Sequence, residues 1–106
     1  MTYSVIYMTA ATRAEGLSLA RGLVEARLVA CANVLDGATS VYWWQGAVQE
    51  ASEAVIVAKT RSALVPQVIA QVRQRHSYDC PCVVALPIAD GNPAYLEWIG
   101  AETRAG

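Results

Sequence analysis

Residues 30–60 read ACANVLDGATSVYWWQGAVQEASEAVIVAKT, and this stretch decides the fold. An extended segment runs from Ala30 to about Trp44, and Asp36-Gly37 interrupts it as a bulge or bend interrupts a long strand. Gln45-Gly46 makes a tight turn, and residues 48–60 return as a second long strand ending in Ala54-Val55-Ile56-Val57-Ala58. Strand side chains alternate between faces, so Val41, Tyr42, Trp43 and Trp44 place large groups on both sides at once. One of Trp43 and Trp44 is expected to pack toward the helices and the other onto a neighbour.

The chain outward from this hairpin completes the pattern. Tyr3 to Thr9 alternates with apolar residues on both faces and is expected as an interior strand. Thr12 and Glu15 have capping-box spacing, in which each satisfies a free N–H at a helix start. Leu17, Ala20, Val24 and Leu28 then predict the buried face of that helix, with Arg21 and Glu25 able to pair on the other. Ser62 can cap a second helix with the stripe Val65, Val68, Ile69 and Val72, ending near His76-Ser77. Pro81 forces Cys80 into an extended conformation ahead of a fourth strand, Cys82 to Ile88. Asn92-Pro93 starts a short last helix carrying Tyr95, Leu96, Trp98 and Ile99. The order is that of an α+β, ferredoxin-like βαββαβ fold with a short C-terminal helix, in one domain spanning residues 1–106. Its right-handed crossovers put both long helices on one face of an antiparallel sheet and leave the other bare.

Hydrophobic residues make up 55% of the chain and charged residues 16%, an apolar excess that one small domain cannot hide. Self-association is the simplest outlet. A membrane is not, because the longest apolar runs, such as Ala54 to Ala58 and Cys82 to Leu86, fall far short of the ~20 residues a spanning helix needs. The start Met-Thr-Tyr-Ser leads straight into a strand, so a cytoplasmic location is expected. Net charge is −1 and the basic residues are dispersed, which argues against a nucleic-acid partner. Three cysteines in this setting are expected as free thiols.

Several multi-residue motifs in order resemble the CutA divalent-cation tolerance family. They are Ala30-Cys31-Ala32-Asn33, Gly37 through Gly46, Glu53, Lys59-Thr60, His76-Ser77-Tyr78-Asp79-Cys80-Pro81, Leu86-Pro87-Ile88 and Gly91-Asn92 with Tyr95-Leu96-x-Trp98-Ile99. The resemblance spans Tyr3 to Ile99. It implies a homotrimer, similar to PII-type signalling trimers, whose long hairpins wrap neighbouring subunits. It also implies a part in tolerance of copper and other divalent metal ions; no metal is expected to be required for folding. Where the family usually has a glutamate after the proline this chain has Cys82, and Asp79 stands for a longer acid.

Two groups of side chains are candidates for chemistry. His76, Cys80 and Cys82 are ligand types that copper and zinc favour, and they lie within one loop and strand start. Two cysteines two apart on a regular strand face the same side at roughly 7 Å, too wide for a tight shared site unless the loop bends or another subunit contributes. The competing reading makes Cys82 a small buried hydrophobe and His76 a helix C-terminal residue whose charged form suits the dipole. The resemblance places the second group, Lys59, Glu53, Tyr78 and Asp79 beside Trp44 and Trp98, near a cleft between subunits. There it either holds a small anionic or metal-bound ligand or fixes the trimer. The chain has no glycine-rich anion loop after its first strand, no nucleophile motif and one histidine, so no enzymatic activity is expected.

Overall fold

The computed structural model describes residues 1–105. The elements are β1 (Tyr3–Ala10), α1 (Arg13–Glu25), β2 (Cys31–Trp44), β3 (Ala47–Arg61), a 3-10 turn (Ser62–Leu64), α2 (Val65–Arg75), β4 (Val83–Pro87) and α3 (Pro93–Glu102). The four strands form one antiparallel sheet in the order β2-β3-β1-β4, which is the expected ferredoxin-like arrangement.

Register explains which face each side chain takes. Ile6 lies opposite Ala58 and Ala85, and Met8 opposite Ile56 and Val83, so these residues share one face. That face packs on the helices. Ile6, Met8, Ile56, Leu23, Leu64, Val68 and Val72 are all buried in one core, each contributing about 1.5–3 kcal/mol by leaving water.

The buried face of α1 is Gly16, Leu19, Ala20 and Leu23, while Leu17 and Val24 are more than a third exposed. The expected stripe is thus rotated. Gly16 sets this rotation, since a Cβ there would meet Ile56 and Val34 side chains at 3.3 Å and hold the helix off the sheet. Leu28 is buried but lies beyond the helix, after Arg27 reverses the chain at φ 57°. Arg27 pairs with Glu102 at 3.0 Å, whereas Arg21 and Glu25 form no ion pair among the described residues. Ser62 does not cap α2. Its hydroxyl bonds that of Ser4 at 2.7 Å instead, and the 3-10 turn leads into the helix.

The expected hairpin is present in detail. Leu35 faces Val55 while Ala38 faces Glu53, so Asp36-Gly37 is a bulge, with Gly37 at φ 83°. Gln45 and Gly46 have φ of 51° and 80°, the two left-handed residues of a type I′ turn. β1 pairs only with Ala54–Arg61 of β3, so 47–53 has no partner but β2. The tip therefore projects as a two-stranded ribbon, and the molecule is drawn out to 44 × 25 × 22 Å. Trp43 lies on the helix side by register but beyond the helices, and is 74% exposed. The expectation that one tryptophan packs onto the helices is not met, because the ribbon outruns them.

The second face is only partly bare. Asn92 caps α3 by accepting from the Ala94 amide at 3.2 Å, with Pro93 at the first turn. The helix lies over one end of the sheet, where Gly100 approaches Tyr3, Tyr95 meets Cys31 and Thr103 accepts from Arg61. Ile99 is fully buried beneath it. Away from α3 the same face leaves Leu35, Val84 and Leu86 about half exposed.

Two substitutions separate core from turn. Ile56→Ala is expected to destabilise the fold by about 2–5 kcal/mol through lost burial and a residual cavity, and Gly46→Ala by about 1–2 kcal/mol through left-handed strain in open space. Urea midpoints at one fixed protein concentration check both.

Candidate functional site

The projecting ribbon and the 77–82 loop enclose a cleft of about 530 Å³ on the second sheet face. Its position follows from register. Beyond the bulge, Ser40, Tyr42 and Trp44 align with Ala51, Gln49 and Ala47, and all share the face of Glu53. Tyr7 and Thr9 of β1 form its floor, and Tyr78, Asp79, Cys80 and Cys82 its outer wall.

Glu53 sits opposite Ala38 beside the bulge and is 8% exposed. Its Oε2 accepts a hydrogen bond from the Tyr78 hydroxyl at 2.8 Å. Burial, then this bond and the adjacent carboxylate, push the Tyr78 phenol up to about 12. Tyr78 thus stays a neutral donor at any physiological pH.

The wall is tied to the fold by Glu15 and His76. Glu15 closes the capping arrangement of α1, its amide bonding Thr12 Oγ1 at 3.1 Å while Oε1 accepts from the Ala11 amide. Its other oxygen accepts from the Ser77 amide at 2.8 Å. Partial burial opposes ionisation of Glu15, but hydrogen bonds from Ser77 and from the Ala11 and Ser77 amides outweigh it and hold the carboxyl below its usual range. His76 is buried. Its Nε2 donates to the Thr9 carbonyl at 2.7 Å and its Nδ1 accepts from the Tyr78 amide at 3.0 Å, an arrangement that fits the neutral imidazole.

Both ring nitrogens of His76 are therefore committed to backbone groups, which separates it from Cys80 and Cys82. Those two thiols are free and exposed on the cleft wall. The expectations of a charged, dipole-facing His76 and a buried Cys82 do not match this geometry: the imidazole is satisfied by main chain, and Cys82 precedes β4 instead of starting it. Among the described residues, no three His, Cys, Asp or Glu side chains of one chain gather as a metal-holding group.

The second expected group divides. Glu53, Tyr78, Asp79 and Trp44 meet in the cleft. Lys59 and Trp98 lie at the α3 end, where Lys59 Nζ donates to Asn33 Oδ1 at 3.2 Å and Trp98 packs on Tyr95 with centroids 5.4 Å apart. There the Tyr95 hydroxyl lies 3.4 Å from Cys31 Sγ, and this hydrogen bond, then burial, raises the phenol to about 12. Sequence reasoning missed Tyr7, Thr9, Ser40 and Tyr42 as lining groups. The period-two run 40, 42, 44 beside Trp44 carried that signal. It also assigned Glu15 only to a helix cap, since nothing local announces its long-range bond to Ser77.

A ferredoxin-like α+β chain with a hairpin of this length and a polar-aromatic cleft beneath it defines a narrow class. The family model described as "CutA1 divalent ion tolerance protein" matches residues 4–102, and the chain belongs to that family. A chloroplastic CutA 1 of Oryza sativa is 42% identical over 100 residues, covering 94% of this chain and 56% of that protein. The divalent-cation tolerance protein CutA of Thermus thermophilus is 40% identical over 99 residues, covering 93% and 96%. The chain spans little more than half of the rice relative and of an Arabidopsis one, at 56% and 55%. The crystal structure of Oryza sativa CutA1 superposes with TM-score 0.97 at 40% identity, covering 100% and 97% of the two chains. That of Thermus thermophilus superposes with TM-score 0.94 at 39% identity, covering 96% and 99%. No helix among the described residues is long and apolar enough to cross a membrane.

The lowered Glu15 carboxyl has a signed consequence. Its stabilisation is fully present above the unfolded value near 4.5 and disappears as pH falls through the lower folded value. Glu15→Gln is expected to cost about 1–2 kcal/mol at neutral pH and to flatten the loss of stability below about pH 4.5, as read from urea unfolding against pH. One residue further along the loop, Glu53→Gln should lower the Tyr78 titration from about 12 toward the ordinary tyrosine range, seen as tyrosinate ultraviolet absorbance.

Proposed function

We propose that the protein is a non-enzymatic homotrimer that serves divalent-cation tolerance, copper included, by taking up metal ions weakly at the cleft beneath the hairpin. The observation that carries this reading is the cleft itself. Two carboxylates, Glu53 and Asp79, and two free thiols share one hollow that opens on an apolar sheet face and an unsupported ribbon. Family membership supports the tolerance role, and the relatives whose names state a function are called divalent-cation tolerance proteins. One chain's donors do not make a closed site of the four-ligand kind that structural zinc takes. Weak uptake, with a neighbouring subunit completing the shell, fits that donor set.

Trimerisation is supported by the exposed Val41, Trp43, Val48, Val84 and Leu86, a set of large apolar groups that no element among the described residues covers. A cytoplasmic location belongs to the same proposal, although two plant relatives are named chloroplastic and a solved Archaeoglobus fulgidus relative is described as periplasmic. Subcellular fractionation addresses it.

A second reading has its own support. A hollow of about 530 Å³ walled by Tyr42, Trp44 and Tyr78 has the size and lining of a small-molecule site. In this alternative the trimer is a PII-like regulator that binds a metabolite between subunits and signals to a protein partner. Equilibrium dialysis against Cu(II), Zn(II) and common nucleotides separates the two. Saturable metal uptake, reduced at least tenfold in affinity by a Glu53→Gln, Asp79→Asn double substitution, is expected (about 1.4 kcal/mol). Saturable nucleotide binding without metal uptake would overturn the first reading.

A further inference from the structure

Cys80 and Cys82 have chemistry distinct from that of Glu53 and Asp79. Of the three free thiols, only Cys31 is hydrogen-bonded among the described residues, to Tyr95. Cys80 and Cys82 are both exposed, and both line the same cleft wall on either side of Pro81. Residues 77–80 bend and β4 begins only at Val83, so the pair does not lie on a regular strand and the roughly 7 Å spacing of strand neighbours does not apply.

The loop that carries the two thiols is held at several points. Ser77 is bonded to Glu15, the Tyr78 amide to His76, and the Tyr78 hydroxyl to Glu53. A restrained loop loses less freedom when both sulfurs engage one ion. His76 cannot join them without giving up a backbone bond, and no set of three donors gathers in one chain among the described residues. Hard divalent ions want oxygen donors and more of them. Thiolates select soft ions, and a filled-shell monovalent ion is satisfied by two sulfurs in a line.

We propose that Cys80 and Cys82 form a two-thiolate site for a monovalent thiophilic ion of the Cu(I) class at the wall of the cleft. Each thiol gives up one proton and forms one metal–sulfur bond, so two protons leave per ion and neither metal nor sulfur changes oxidation state. This rests on the reading of the cleft as a place of metal uptake, and adds a monovalent ion to the divalent ones taken up there.

The test is an anaerobic titration of the full chain with Cu(I) held in its coloured bathocuproine disulfonate complex. Expected are transfer of one Cu(I) per chain and, on loading, protection of two of three thiols from a thiol reagent. The Cys80→Ser, Cys82→Ser double substitution should lower apparent affinity by more than about 100-fold, beyond what loss of a merely supporting group costs. Cys31→Ser, away from the cleft, should retain Cu(I) uptake. Thiol protection on the unaltered chain keeps the test decisive should a serine variant fold poorly. Wild-type uptake that leaves all three thiols reactive, or that survives the double cysteine substitution, would overturn the proposal. Divalent uptake persisting beside that result would leave the broader function standing, whereas uptake of neither ion would remove both.

Discussion

β3 is 15 residues long and β1 is 8. Because β1 reaches only Ala54–Arg61 of β3, the first half of β3 has β2 as its sole partner. Two-stranded ribbons are marginal in water by themselves, and this one carries Val41, Tyr42, Trp43, Trp44 and Val48 at its end. The bulge at Asp36-Gly37 shifts the register where the ribbon leaves the sheet, bringing Ser40, Tyr42 and Trp44 onto the face of Glu53. The cleft exists because the ribbon continues past the sheet while the 77–82 loop rises beside it. The unpartnered apolar surface has the same cause. An assembly in which neighbours cover the ribbon resolves both features at once.

The cleft wall depends on polar ties drawn from distant parts of the chain. Glu15 at the start of α1, Thr9 at the end of β1 and Glu53 in β3 each bond the segment 76–78. Buried polar groups are costly when unpaired, so these bonds favour one loop conformation over its alternatives. His76 is the hinge of this arrangement. Its two nitrogens join β1 to the loop, and a residue whose chemistry looks metal-directed in the sequence works as a structural connector.

Much of the fold was legible because its signals are local. Gln45-Gly46 and Asp36-Gly37 specify a turn and a bulge by backbone preference, Thr12 with Glu15 announces a helix start, and Asn92-Pro93 another. The face of α1 was not legible. Leu17, Ala20, Val24 and Leu28 make as good a stripe as Leu19, Ala20 and Leu23, and the choice between them turns on the close approach at Gly16, a tertiary contact. The site was partly legible for the same reason. Trp44, Tyr78, Asp79 and Glu53 line one hollow within the chain, while Lys59 and Trp98 sit under and beside α3, whose docking on the second face could not be read from its ten residues. Family resemblance grouped all six, but tertiary packing decides which of them share a hollow within one chain.

On the proposed function, this chain, a member of the CutA1 divalent ion tolerance family, would bury its ribbon and the uncovered part of its sheet face against two further copies of itself. Sedimentation equilibrium of the purified protein at micromolar concentration tests this most directly. The account predicts a single species of three times the 11.3 kDa chain mass. A stable monomer at that concentration would contradict it.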